Sequence, residues 1–592
     1  MRKAFKKAFQ DLQDTVSGND EPVTRAQPPP PQGFMSWQPA ARPTAKDILR
    51  YRYQHGTNLG SIFILEQWLF GGMYDAEVSS SSEHDAIIAS LNKRGLQATR
   101  EKFETHWRNA LSEDDLNYLV ESAHCNNIRL PIGYFTLGPD FCNNTRFAGE
   151  PAQVYVNAWS IAKTLIARCF SRGIGVIIDL HGVPGGANHE THSGTSSGKA
   201  ELWGNPVYLG LATRCIQFIA QETIRDPQLQ HAVVGIQIVN ESIIDPPGMY
   251  EWYNDVIQRV SAMDYTLPIY ISDGWDLSRA AAFTRAYNTT AAGPPKTPVF
   301  VDCHKYWTFD EKDTSRSPYQ IIEQVKHELP ELDSSFVGDV FNHGAAVAVY
   351  IGEYSLALAP QTWSRSPEDQ KDNLMREFGT SQSRTWQNKA SGSAFWTYKM
   401  EWMPGWEWGF KYANENNFVI PPSAFNLSIK QIRDKLQQAD LMRSEKLQGN
   451  LLGHSNWWDS QNPGKMFEHW RYANGFDLGW NDAREFFSAR LNGVVPSAVP
   501  AAALQMFHGM SSGGSGVGFD GASVSSPGGP GQGQVDENTV IGADVLRGGL
   551  ELWILKRMRE ERLGDRNAAP FGWEWEHGFR QGVREFQAVV GA

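Results

Sequence analysis

The chain has no CxxC pair and no Cys/His set at metal-ligand spacing. Its cysteines, Cys125, Cys142, Cys169, Cys215 and Cys303, are scattered along 592 residues. That spacing argues against a structural zinc site, and no metal or other cofactor is expected. The odd count and the apolar neighbours of Cys169 and Cys215 favour free thiols. Net positive charge is also missing. The formal charge of −12 argues against a nucleic-acid or anionic-membrane partner. No run of 18 apolar residues occurs, so no transmembrane helix is expected. The opening Met-Arg-Lys-Ala-Phe-Lys-Lys lacks an apolar h-region, so no secretory signal is expected and the placement reads as cytoplasmic. Phe5, Phe9 and Leu12 among basic residues leave a weak membrane-surface helix as the alternative to a solvated tail.

What is present is a large apolar fraction, 41%, and 21 tryptophans. The first supports a sizeable core. The second suits stacking against sugar rings, although core and interface aromatics explain any single Trp equally well. Residues 1–45, with Pro28–Pro31, read as a disordered arm. Residues 46–445 alternate strand-like and helix-like stretches. The strand candidates are Thr57–Leu65, Ile128–Ile132, Gly175–Leu180, Val233–Val239, Pro268–Ser272, Val299–Cys303, Ala348–Gly352 and Ser393–Tyr398. Helical periodicity fills Asp114–Cys125, Ala158–Phe170 and Tyr208–Thr223, and Ser112 with Asp115 forms a capping-box signal. Eight strands alternating with helices predict an α/β fold, a (β/α)₈ barrel of the TIM type.

Residues 446–592 read as a mainly helical C-terminal extension, interrupted by a Gly/Ser/Pro-rich linker at 509–538. On either side of that linker a pattern recurs. Trp470, Gly475-Phe476 and Gly479 match Trp573, Gly578-Phe579 and Gly582 at identical spacing. Two related helical elements are expected, packed on each other or on the barrel.

Chemistry concentrates at the ends of the strands. Val233–Val239 runs into Asn240-Glu241, and Ala348–Gly352 runs into Glu353. Packing explains such a charge poorly, whereas the C-terminal ends of barrel strands are where catalytic residues sit. Arg129, Asp179 and His181, His304 and Tyr306, and Trp396 lie on or after four other strands. Each alone has a plain structural explanation; Arg129, for instance, could simply pair with Asp179. Together they suit glycoside hydrolysis, which needs one carboxylic acid to protonate the leaving oxygen and one carboxylate to meet the charge at the anomeric carbon. Arg129 would keep Glu353 ionised, Tyr306 would donate to the same carboxylate, Asn240 would bind a sugar 2-hydroxyl and Trp396 would floor the sugar ring.

These residues stand in motifs that resemble glycoside hydrolase family 5, in particular its fungal exo-β-1,3-glucanases. Asn58-Leu59-Gly60 with Leu65-Glu66 and Trp68 resembles the opening N-L-G-G-W-x-x-L-E-x-W. Arg129–Tyr134 resembles R-I-P-I-G-Y, and Asp179–Gly185 resembles D-L-H-G-A-P-G. Asn240-Glu241, Gly352-Glu353, His304-Lys305-Tyr306, and Phe395-Trp396 with Lys399 and Glu401 match the remaining motifs in order. The resemblance spans about residues 50–410. It implies a retaining mechanism with Glu241 as acid/base and Glu353 as nucleophile. It further implies substrate contacts at Glu66, Arg129, His181, Asn240, His304, Tyr306 and Trp396, and a β-glucan or β-glucoside substrate.

Some positions depart from the family pattern. Ser242 stands where Pro follows the acid/base, Ser61-Ile62 replaces G-W, and Tyr398 replaces the second Trp of the last strand. The loop N-G-F-D-N-S-G reads Asn188-His189-Glu190-Thr191-His192-Ser193-Gly194, so Thr191 replaces a sugar-binding Asp. The chemistry survives these changes and the substrate contacts shift. Three readings stay open: an exo-β-1,3-glucanase, an intracellular β-glucosidase acting on sterol glucoside, glucosylceramide or another small β-glucoside, and a lapsed carbohydrate-binding protein.

Overall fold

The computed structural model describes residues 40–78, 80–290, 294–333, 339–497, 499 and 536–592. Most of the expected N-terminal arm, and the expected linker up to residue 535, lie outside these residues. The eight strands are β1 (Gln54–Asn58), β2 (Asn127–Gly133), β3 (Gly175–Gly182), β4 (Val233–Gln237), β5 (Ile269–Ser272), β6 (Val299–Trp307), β7 (Val349–Leu358) and β8 (Gly392–Phe395). Each pairs in parallel with the next, and β8 pairs with β1 to close the barrel. The strands are buried on both faces because side chains fill the barrel and helices cover it, and most are apolar for that reason, although β1 is Gln-His-Gly-Thr-Asn.

The first strand sits earlier than the sequence pattern predicts. Only Thr57 and Asn58 of Thr57–Leu65 belong to it; the apolar run after them leaves the ladder and folds over the barrel's end, where Phe63 makes a single bridge to Ile132. Burial there demands apolar residues without demanding a strand. The helices that cover the sheet include α1 (Ala158–Ser171) and α2 (Pro206–Arg225). At Asp114–Cys125 a single α-turn, Glu113–Asn117, opens with the Ser112–Asp115 capping box and passes into a wider π-turn.

Beyond the barrel, α3 (Ile429–Gln461) runs unbroken across residue 445 and is followed by α4 (His469–Ser488), α5 (Leu550–Glu560) and α6 (Gly572–Val590). The recurring glycines mark where α4 and α6 touch. A Cβ on Gly475 would stand 2.0 Å from the Trp575 carbonyl oxygen, and one on Gly578 would stand 2.0 Å from that of Tyr472. Gly479 and Gly582 face the carbonyls of Phe579 and Phe476 at 2.2 and 2.1 Å. Equivalent positions of the two copies thus meet reciprocally, as a two-fold pair does. Only glycine permits backbones so close.

The C-terminal segment reaches the bottom of the barrel, where strands begin. Arg52, just before β1, bonds the carbonyls of Asn126 and Gly173 and both oxygens of Asp544 at 3.2–3.3 Å. Arg490 bonds the same carboxylate at 3.0 and 3.1 Å. The Tyr53 N–H donates to the Val545 carbonyl. Among the described residues no helix is long and apolar enough to cross a membrane, and all five cysteines are free and buried.

Candidate active site

Toward the opposite end, β2, β6, β7 and the turn after β4 bring their polar groups together; Arg129, His304 and Glu353 lie within their strands, which run on past the apolar stretches read from the sequence. Arg129, on β2, is wholly buried and makes four side-chain hydrogen bonds and a further ion pair. Nε binds Gln237, Nη1 binds Asn58 at 2.9 Å and Glu353 at 2.8 Å, and Nη2 binds Asn240 at 2.7 Å and Asp179 at 3.0 Å. A buried guanidinium this fully matched is fixed in position. It holds one oxygen of Glu353, and the Tyr306 hydroxyl donates to the other at 2.8 Å.

A register shift in the β6–β7 ladder sets His304 opposite Glu353. The bulge re-aims both side chains into the mouth of the barrel. Gly352 has a reason of its own: a Cβ there would stand 1.9 Å from Asp302 Oδ1. The space belongs to Asp302, which accepts from Gln237 at 2.8 Å and lies 3.0 Å from His304 Nε2. The other ring nitrogen, Nδ1, is 2.8 Å from Glu241 Oε1.

Glu241 follows β4 in a turn with φ of +40°, the left-handed region that a non-glycine residue enters at a cost of order 1–3 kcal/mol. The Asn188 side chain steadies that turn by donating to the Glu241 carbonyl at 3.0 Å. Ser242 supplies an N–H that proline lacks, 3.4 Å from Ser272 Oγ. One oxygen of Glu241, one of Glu353 and a nitrogen of His304 all lie within 4.8 Å of one another.

Charge in this cluster is coupled. Burial pushes the Glu241 carboxyl up, but the hydrogen bond and charge of His304 outweigh it and hold the group below the usual carboxylate range. Burial also pushes Glu353 up, against the pull of His304 and Arg129, and leaves it raised. The imidazole of His304 is disfavoured as a cation by burial, yet Glu353 and Asp302 raise its pKa well above the ordinary histidine range. These shifts oppose one another across the short Glu241–His304 contact, so the titration belongs to the cluster rather than to one residue. The pull of Arg129, expected to keep Glu353 ionised, is outweighed by burial, and Glu241 is the carboxyl that is lowered.

The other expected residues lie around this centre. His181 binds Asp179 at 2.8 Å through Nδ1 and stacks on Trp396 at 5.9 Å and 15°. Trp396 fits because residue 60 is glycine; a Cβ there would stand 2.2 Å from the indole. Asn240 is buried between Arg129 and His181. Glu66 accepts from the Trp68 indole at 2.8 Å and is pushed up to about 7 by burial; no hydrogen bond joins it to Glu241 or Glu353.

Several neighbours were not singled out from the sequence. Asn58 and Gln237 orient Arg129, Asp302 orients His304, and His192 lies 3.5 Å from Glu241 Oε2. Gly352 was the readable sign of Asp302. Outside them stands an aromatic rim: Trp68 packs on Trp402 and Trp408 at 6.0 and 5.4 Å, and Phe309 packs on Tyr306 and Trp408 at 5.6 and 6.2 Å. Trp68 and Phe309 remain 43% and 70% exposed, which soluble proteins rarely leave clustered without a ligand. A second cluster with metal-ligand spacing, His454, His469 and Glu574, lies among the C-terminal helices. Both imidazoles already bond one Glu574 oxygen, at 3.2 and 2.6 Å.

Comparison with known proteins gives the family. Residues 91–401 match the cellulase (glycosyl hydrolase family 5) model, and residues 439–590 match the glucan 1,3-beta-glucosidase 3 C-terminal domain. Glucan 1,3-beta-glucosidase 3 of Schizosaccharomyces pombe is 30% identical over 447 residues, covering 74% of this chain and 88% of that protein. An uncharacterized glycosyl hydrolase of Saccharomyces cerevisiae is 29% identical over 75% of this chain and 84% of its own length. A probable glucan 1,3-beta-glucosidase A of Aspergillus clavatus is 24% identical over 64% and 90%. With family-specific matches to both its barrel and its C-terminal helices, the chain belongs to glycosyl hydrolase family 5 and is a glycosidase.

Proposed function

We propose that the protein is a retaining exo-β-1,3-glucosidase of the cytoplasm, with Glu353 as nucleophile and Glu241 as acid/base. The observation that carries this reading is the spacing of the carboxylates. Oxygens within 4.8 Å of one another fit the short separation of about 5–5.5 Å between carboxyl groups in retaining enzymes, and leave too little room for the water an inverting enzyme places in a gap of about 6.5–9.5 Å. The ends of the pair differ in kind. Glu353 is immobilised by Arg129 and Tyr306, as a nucleophile must be. Glu241 touches imidazoles, which exchange protons.

Glu353 attacks the anomeric carbon while the proton held by Glu241 and His304 passes to the departing oxygen. Glu241, then ionised, takes a proton from water as that water displaces Glu353 from the sugar. Tyr306 and Arg129 stabilise the carboxylate as it is released. Asn240 is oriented by Arg129 to bond the 2-hydroxyl, and Trp396 supports the ring. The 1,3-linkage is drawn from the names of the relatives and from the shared C-terminal domain. The buried free thiols fit a reducing compartment.

The test is a panel of laminari-oligosaccharides, sterol glucoside and aryl β-glucosides, with the first-formed anomer read by NMR. Glucose released from laminari-oligosaccharides with retained β-configuration is the expected result. Inversion would overturn the mechanism, preference for sterol glucoside the substrate, and inertness toward all three would favour a lapsed enzyme.

A further inference from the structure

Glu241 carries an imidazole at each oxygen. His304 Nδ1 stands 2.8 Å from Oε1, and His192 Nε2 stands 3.5 Å from Oε2. The His192 side forms a line. His192 Nδ1 is 3.2 Å from His181 Nε2, and His181 Nδ1 is 2.8 Å from Asp179 Oδ2, which in turn pairs with Arg129.

Counting donors along this line fixes which atom holds each proton. Asp179 accepts the N–H of His181 Nδ1. Burial works against a cation at His181, and Asp179 outweighs it and raises the pKa; above that pKa the singly protonated ring offers a lone pair at Nε2, which accepts the N–H of His192 Nδ1. His192 Nε2 is left with a lone pair aimed at Glu241. Two facing lone pairs repel, so the contact is favourable only when Glu241 brings the proton. Burial keeps His192 neutral, with a pKa held down at about 4, so the imidazole does not supply one.

We propose that His192 is a positioning residue that keeps the acid/base Glu241 in its protonated, acid-competent form. It counteracts His304, whose contact favours the ionised form, and it does so through the tautomer that Asp179 and His181 impose. Glu353 and Glu66, the other carboxyl groups whose charge reaches Glu241, make no hydrogen bond or ion pair with His192 among the described residues. No atom is exchanged in this role: Glu241 gives its proton to the leaving oxygen and regains one from water, and His192 only accepts the hydrogen bond in between. The inference rests on the assignment of Glu241 made above.

The experiment compares wild type, H192F, H192N and E241A on 2,4-dinitrophenyl and alkyl β-glucosides across pH. The dinitrophenolate leaves without an acid and the alkoxide does not. In both His192 variants the alkaline limb of kcat/KM should fall by about one pH unit, and alkyl glucoside turnover at pH 7 should drop about tenfold, with dinitrophenyl turnover little changed. An unmoved limb would overturn the proposal. So would an upward shift, because a doubly protonated His181 would reverse the line and make His192 a donor to Glu241. Equal losses on both substrates would show a merely structural role. E241A keeps the two ideas apart: it should lose alkyl turnover and regain dinitrophenyl turnover with azide. If it does neither, the Glu241 assignment fails; if it does both while the His192 variants match wild type, only the His192 proposal fails.

Discussion

At the top of the barrel, Glu353 takes one donor from Arg129 and one from Tyr306, and still faces a second carboxylate within 4.8 Å. At the bottom, Asp544 has no side-chain exposure and is gripped by Arg52, Arg490 and Asn126. Both carboxylates are buried beside arginine. Burial, with repulsion from Glu241 added, raises the pKa of Glu353 against the pull of His304 and Arg129. Burial pushes Asp544 up too, but the two guanidinium groups more than reverse it and bring the carboxyl down to about 2. The proposed nucleophile, though each oxygen has a donor, keeps a like-charged neighbour. A structural one is neutralised from every side.

The sharpest break between the two ends comes from Glu353→Gln. Turnover should fall by at least about 10⁴-fold, equivalent to about 5 kcal/mol of barrier, while the thermal melt stays near that of the wild type. A melt that collapses together with activity would make Glu353 structural like its counterpart below. Asp544→Ala should do the reverse. Leaving two buried guanidinium groups without their partner costs about 3–5 kcal/mol, read by urea denaturation, while kcat of the folded fraction is kept.

The same contrast has a pH signature. The lowered pKa of Asp544 contributes stability that is complete above its unfolded value near 3.8 and is lost as pH falls toward about 2. Wild type should therefore lose stability steeply in that window, and Asp544→Ala should lose less there. A smaller effect is expected from Gly582→Ala, whose added methyl meets the Phe476 carbonyl. Separating α4 from α6 should cost about 1–3 kcal/mol without altering the pH–rate profile. Tyr306→Phe is the mildest change. One lost donor to Glu353 should reduce kcat about tenfold, near 1.4 kcal/mol, and unchanged turnover would remove Tyr306 from the mechanism.

The barrel was legible because most of its strands carry apolar runs that two-sided burial requires, β1 with its Gln-His-Gly-Thr-Asn being the exception, and because charged residues interrupt those runs toward the catalytic end. Glu241, Glu353, Arg129, His304 and Tyr306 stood out for that reason. Thr57–Leu65 misled because burial over the barrel's end calls for the same apolar residues as a strand. His192 lies in a loop, where no periodicity marks a side chain as facing the site; the loop's departure at Thr191 was visible, while the geometry one residue later was not. Asp302 hid within a strand, betrayed only by the glycine that makes room for it. Arg52 and Asp544 lie 492 residues apart, and nothing local in either segment points to the other.

That last separation bears on how the protein is made. Arg52 emerges early in synthesis, and its partner carboxylate emerges 492 residues later. At about 5–20 residues per second the delay is on the order of a minute. Throughout it, all eight strands can leave the ribosome and close while a guanidinium at their floor waits for its counter-charge. Until the last helices arrive, the floor of the nascent barrel lacks the carboxylate that pairs with Arg52.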